Sequence, residues 1–372
     1  MYCVQNILGY DANDSLFYYN IAVKNRNNTI LGLINDLKSY KRTSSFSDWG
    51  YPIIQHFFFS IRKISNEFAF FLLCVTAALF HSFSSVLIYK ISKHYTSNEL
   101  SQIISAFWGV NAASVYFNVS GLKETYFVFF VLLSIYSLLN LQFYRFNFKN
   151  TLLFIFSTII LFFFRIYIAL FVLFVFLLLF CFRKLFYKYF SILLISSFII
   201  AFTGLSLFYR FLPELAYVEG VRNAQLSKSF GTNIFISNIM NFIFAWISPI
   251  PAFSYSNKAV NLLVASYSSI KIFISFSAIY YIFFSLQRKN YKYYSLIAFY
   301  SLNVLLLIIS GVSLDFRFGY PTSFVAFVLG VIGLDHFFVS SKIKLGLFTI
   351  SPSRIIYAIL ILCLFLTLGY NL

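Results

Sequence analysis

Long apolar runs separated by short polar turns dominate the chain. The runs lie near residues 68–90, 101–118, 124–143, 151–164, 166–182, 188–208, 234–253, 262–286, 294–312, 320–339 and 354–370. They are long and continuous, as expected of helices that cross hydrocarbon. None shows the ten-residue alternation of a membrane barrel. The pattern predicts an all-α, polytopic integral membrane protein of about 10–11 transmembrane helices with a large outer loop.

Two runs need separate treatment. Residues 151–182 as one helix would be about 48 Å long with a charge at the midpoint, so a hairpin turning near Arg165 is expected. Residues 234–253 end in SPIPAF, whose two prolines break a helix. That run is expected to dip into the membrane or lie on it. Four regions follow: an outer amphipathic segment at 1–67, a first helix group at 68–208, an outer loop with a re-entrant or interfacial helix at 209–261, and a second helix group at 262–372. Within the first region GYPIIQHFFFSI (50–61) is too short to span and is expected at the interface.

Composition narrows the class further. Of 372 residues 60% are hydrophobic and 10% charged, against about 45–50% and about 25% in soluble domains. This excludes a soluble enzyme, a disordered chain and a nucleic-acid module. The net charge of +17 would suggest nucleic acid in a soluble protein, but here the basic residues sit in turns. Lys90 and Lys93, Arg145 and Lys149, Arg183 to Lys188, Arg288 to Lys292, and Lys342 to Arg354 make thirteen in five short turns. The positive-inside rule assigns those turns to the cytoplasm. Residues 1–67 then lie outside despite seven basic residues, since long segments translocate largely regardless of charge. An outer segment of that kind normally follows an earlier span, so a first helix is expected to be missing from the start of the chain.

The scarce charges on the outer side are the candidate chemistry. Lys123 in SGLKET, Arg165 in FFFRIY and Arg317 in LDFRFG stand alone in short turns; Arg210 belongs to the long outer loop, with Arg222, Lys228 and Lys258. Lone cations beside a membrane cavity are costly and point to an anionic ligand, or else serve as orientation signals and snorkelling anchors. In NVSGLKETYFVFF, Ser120 is expected to cap a helix, Gly121 to let a ligand approach, and Lys123 to add charge at the helix N-terminus. A capped helix start with a local ion pair is the alternative. Asp14, four residues before Tyr18, and Glu124 are the candidate general bases. Asp36, Asp48 and Glu67 read as solvated partners of nearby basic residues, His81 as a satisfied buried histidine, and His56 as a weaker substrate contact. Lys271 either faces a cavity or snorkels. Cys74, Cys181 and Cys363 read as small core residues. Four scattered cysteines and four distant histidines give no support for a metal.

Taken in order, an acidic loop ending in YY (Asp14 to Tyr19), a GYP segment (Gly50 to Pro52), GLKE opening a span (Gly121 to Glu124), Arg165 in a tight outer turn and a late RFGYP turn (Arg317 to Pro321) resemble a family. It is that of the Wzy-type O-antigen and surface-polysaccharide polymerases, within the wider class of polyprenyl-dependent membrane glycosyltransferases. The resemblance implies ten to twelve helices in a bacterial inner membrane and a periplasmic reaction without a cofactor. A glycan would pass from undecaprenyl pyrophosphate to a lipid-linked repeat unit, with a chain-length regulator protein as a further partner. Lys123, Arg165, Arg210 and Arg317 would hold the pyrophosphate, and Asp14 or Glu124 would take the proton. The alternatives are a transferase adding one sugar from a polyprenyl phosphate and a lipid-linked oligosaccharide flippase.

Overall fold

The computed structural model describes residues 12–40, 46–61, 63–144, 147–199, 223–224, 226–227, 233–247, 258–311, 316–339, 343–345, 348–350 and 361; for a few of these, among them 12–14, 258–266 and 316–318, it describes the backbone alone. It is an all-α membrane architecture. Helices α1 (Ala12–Lys24), α2 (Ile30–Ser39) and α3 (Gly50–Phe59) precede α4 (Asn66–Ser92), α5 (Asn98–Gly109), α6 (Ala112–Val119), α7 (Glu124–Phe143), α8 (Phe148–Phe164), α9 (Ile166–Phe180) and α10 (Arg183–Ile199). Then come α11 (Ile234–Ile247), α12 (Lys258–Gln287), α13 (Tyr294–Ser310) and α14 (Phe316–Val339). A small hairpin follows, Ile343–Leu345 antiparallel to Phe348–Ile350.

Five segments among the described residues are long and apolar enough to cross a bilayer: 66–92, 124–143, 267–287, 291–310 and 319–339. Helix α4 shows why lipid is their solvent. Phe68, Phe71, Val75, Leu79, Phe83 and Val86 recur every three or four residues and are each 41% to 57% exposed. A continuous apolar stripe of that kind is not left facing water. The opposite face, through Phe70, Leu73, Ala77, Leu87 and Ile91, is buried. Helix α8 repeats the arrangement, with Leu152, Ile155, Ile159 and Phe163 outward and Phe154, Ser157 and Leu161 inward.

The chain divides into two compact units. The first takes in residues 1–94, 101–174 and 255–263; the second takes in 95–100, 175–254 and 264–372. In the first, α7 packs along α4 and α8, and Ser134 bonds Ser157 across the α7–α8 seam at 2.8 Å. Helices α1 to α3 form a cap with its own small core of Ile21, Leu33 and Leu37, closed by Phe17, Trp49 and Ile53. That cap sits at one end of the bundle, because Arg26 bonds Asn66 at the start of α4. The other end carries Lys90, 5.6 Å from the Tyr136 ring, and His94 stacked on Phe143.

In the second unit α13 and α14 lie together, α11 crosses α13, and α12 meets α14 through glycines. A Cβ on Gly330 would lie 2.4 Å from the Ile274 carbonyl oxygen, and one on Gly333 would lie 2.5 Å from that of Ser277. Small residues at a helix contact let two membrane helices approach to backbone distance.

Two expectations change here. The run 101–118 is not one helix: it breaks at Asn111, whose side chain caps α6 by accepting from the Ala113 amide at 2.9 Å. The break near Arg165 is present, with that residue extended at φ −160° and ψ 101°. Yet α9 does not fold back along α8, so the turn is a divergence rather than a packed hairpin.

Candidate functional site

Four elements of the first unit meet at the cap end of α7. The turn before α7 is tight: Gly121 adopts φ +64°, a conformation that glycine reaches without steric cost. A Cβ there would lie 2.5 Å from the Phe70 ring, so this glycine serves packing and not ligand approach. Ser120 ends α6 rather than capping α7, whose N-cap position is Lys123, without a side-chain cap bond. Both sequence expectations for this turn are corrected by the same fact: the chain reverses sharply between α6 and α7.

Lys123 is 6% exposed. Its ammonium donates to Asp48 at 2.5 Å and to the Tyr18 hydroxyl at 3.3 Å. Burial, then the nearby Arg165 guanidinium, push its pKa down to about 8 against the opposing pull of Asp48 and Glu124. Burial also acts against the charge of Arg165, but Tyr167, Asp48 and Glu124 outweigh it and hold the guanidinium above its ordinary value. Two cations and two carboxylates therefore share one electrostatic neighbourhood.

Helix α1 lines the same place. Ser15 donates to the Ser120 carbonyl at 2.6 Å and Tyr18 stands edge-on to Tyr51 of α3, 5.2 Å between centroids. Around this cluster polar atoms are buried without a protein partner among the described residues: Glu124 Oε2, Ser120 Oγ and Tyr51 Oη. Farther along α3, Gln55 and His56 Nδ1 are in the same condition. Native interiors leave few such atoms, and each one calls for a water or a ligand group. Together with the two cations they make a buried polar cluster.

Of the predicted site residues, Lys123, Glu124 and Arg165 come together. Asp14 lies on α1 one residue before Ser15, so its backbone is at the same end; its side chain lies outside the described ones. Arg317 begins α14 in the second unit, its side chain likewise outside the described ones, and Arg210 lies outside the described residues altogether. Asp48, expected to be a solvated partner, is instead the counter-ion of a buried lysine, its side chain 22% exposed. The 3-10 turn Phe46–Asp48 leading into α3 places it there. Asp36 does act as expected, pairing with exposed Lys24 at 2.6 Å.

Other expectations sort similarly. His81 is buried and bonds the Gly109 carbonyl at 3.1 Å. Lys271 does not snorkel; it is 4% exposed and donates to Ser275 at 2.8 Å. Cys181 is exposed at the end of α9 and is not a core residue. No family model, curated protein or solved structure matches the chain.

Proposed function

We propose that this chain is a membrane-embedded glycosyltransferase that joins lipid-linked oligosaccharide units, an O-antigen type polymerase of a bacterial inner membrane. The observation that carries the reading is the Lys123–Arg165 pair beside Glu124, a carboxylate with a buried oxygen that has no hydrogen-bond partner among the described residues. Glycosyl transfer from a pyrophosphate lipid needs those two functions side by side. Cations stabilise the charge that develops on the leaving diphosphate, and a carboxylate accepts the proton of the attacking hydroxyl.

In this mechanism the acceptor sugar hydroxyl gives its proton to Glu124 or Asp14 and attacks the anomeric carbon of the donor glycan. The bond from that carbon to the pyrophosphate oxygen breaks, and undecaprenyl pyrophosphate leaves against Lys123 and Arg165. Asp48 holds Lys123 until the diphosphate competes for it.

The test is genetic and biochemical. Arg165→Ala and Glu124→Gln in the producing bacterium should leave surface glycan capped at one repeat unit while protein levels stay unchanged. A persisting ladder would refute a polymerase, and a change in glycan composition without a change in length would indicate a single-sugar transferase instead. A flippase is disfavoured because such proteins need cations deep in several spans. Among the described residues, Lys271 is the Lys or Arg that lies farthest inside the five candidate spans.

A further inference from the structure

The second unit contains a groove of about 760 Å³ between α10, α11 and α12. Its walls are almost wholly apolar, with Ile195, Phe198, Trp246 and Phe283 among them, and its two polar lining residues, Ser191 and Gln287, lie near the same end. The volume is that of a small-molecule site, typically about 300–1,000 Å³. Helices α10, α11 and α12 are apolar along this stretch, so hydrocarbon is the solvent that meets the groove.

The polar end is strongly basic. On α10 the groove face runs back from Phe198 through Ile195 and Ser191 to Lys188 and Lys184, at helical spacings of three or four. Both lysines are exposed. Arg288, Lys289 and Lys292 follow directly on Gln287, and the Tyr187 ring lies 5.3 Å from that of Tyr291, which ties the two basic segments together. Asp335 is the acid among the described residues near this rim; the field of both Asp335 and Arg288 reaches His336. Positive charge exceeds negative there several-fold.

We infer that the groove binds an anionic phospholipid, with acyl chain along Ile195, Phe198 and Trp246 and phosphate at Lys184 and Lys188. Basic pockets between membrane helices on the cytoplasmic side suit such headgroups, and these turns belong to the basic, positive-inside set. A zwitterionic lipid gains the same apolar contact but not the charge. This site is independent of the catalytic proposal, since it uses other residues.

The test uses the full chain purified in detergent and titrated with phosphatidylglycerol or phosphatidylcholine of identical acyl chains, read by native mass spectrometry. Phosphatidylglycerol should be retained about thirtyfold better, the ratio given by two lysines each contributing about 1 kcal/mol near an anionic headgroup. Lys184→Glu with Lys188→Glu should abolish that preference while keeping the melting temperature. Ile195→Trp should reduce retention of both lipids; where it fails to fold, Ser191→Trp at the mouth replaces it. Equal retention of the two lipids by the wild type, or an undiminished preference in the double lysine variant, would overturn the headgroup assignment. Retention unchanged in the filled-groove variant would overturn the groove, as would a dimer of this chain that the same variant dissociates.

Discussion

Lys123 is the residue on which charge and burial conflict most directly. Held at about 8, its pKa lies far below the ordinary lysine value of about 10.4. Below pH 8 the ammonium is charged and available to an anion; as pH rises through 8 that charge is lost. Binding of a pyrophosphate lipid should therefore weaken between pH 7 and 9. Lys123→Arg, which stays charged throughout, should flatten the profile, and Lys123→Met should weaken binding at every pH. The stability sign is opposite. The unfolded chain keeps the proton between pH 8 and about 10.4, so titration of this group makes folding more favourable as pH rises through that window.

The ion pair gives a second prediction at the same scale. Asp48→Asn leaves the Lys123 charge buried beside Arg165, and removing one partner of a buried pair costs about 3–5 kcal/mol. The lower end applies here, because the Asp48 side chain is 22% exposed. Lys123→Met leaves Asp48 able to reach water and should cost less. The double variant should be more stable than the sum of the two, with a coupling of about 1–3 kcal/mol. Thermal denaturation in detergent measures all three. Additive losses would mean that the two side chains do not act on each other.

Among the helices, the tight spots are glycines. Gly121→Ala meets both a left-handed backbone, which costs an L side chain about 1–2 kcal/mol, and the Phe70 ring at 2.5 Å. Gly330→Ala meets the Ile274 backbone at 2.4 Å, an atom that cannot rotate away. Both variants should melt several degrees below wild type. Gly319→Ala, whose nearest neighbour is Leu307 at 3.9 Å, should not, and it serves as the control.

These elements also mark what could be read from sequence. Runs such as 124–143 and 320–339 were legible because hydrophobicity alone fixes a membrane helix. The split of 101–118 was not, because Asn111 acts as a cap only once the chain has turned there. Lys123, Glu124 and Arg165 were legible as scarce charges in the turns between apolar runs. Asp48 was not: its neighbours Lys38, Lys41 and Arg42 suggested solvated pairing. What sets its partner is a fold-back of 75 residues, which no local pattern records.

At the scale of the molecule, the first unit carries basic residues at both of its ends. Lys90 and His94 mark one end; the cap, Lys123 and Arg165 mark the other, about 30 Å away along the 20 residues of α7. In the second unit Arg288 to Lys292 begin the turn into α13, and Arg317 opens α14 after α13 has run its full length. If both units obey one positive-inside orientation, Lys90 shares a compartment with Lys289, and Lys123 shares one with Arg317. Single cysteines placed in a chain lacking Cys3, Cys74, Cys181 and Cys363 test this directly. An impermeant maleimide added to intact spheroplasts should label Asn28→Cys and Ser310→Cys, and should reach Ser97→Cys and Lys289→Cys only after the membrane is opened. Labelling of Asn28→Cys and Ser310→Cys from opposite sides would place the cations in separate compartments. The single positive-inside orientation would then be wrong, and with it the outer placement of Lys123 and Arg165 that the proposed transferase needs.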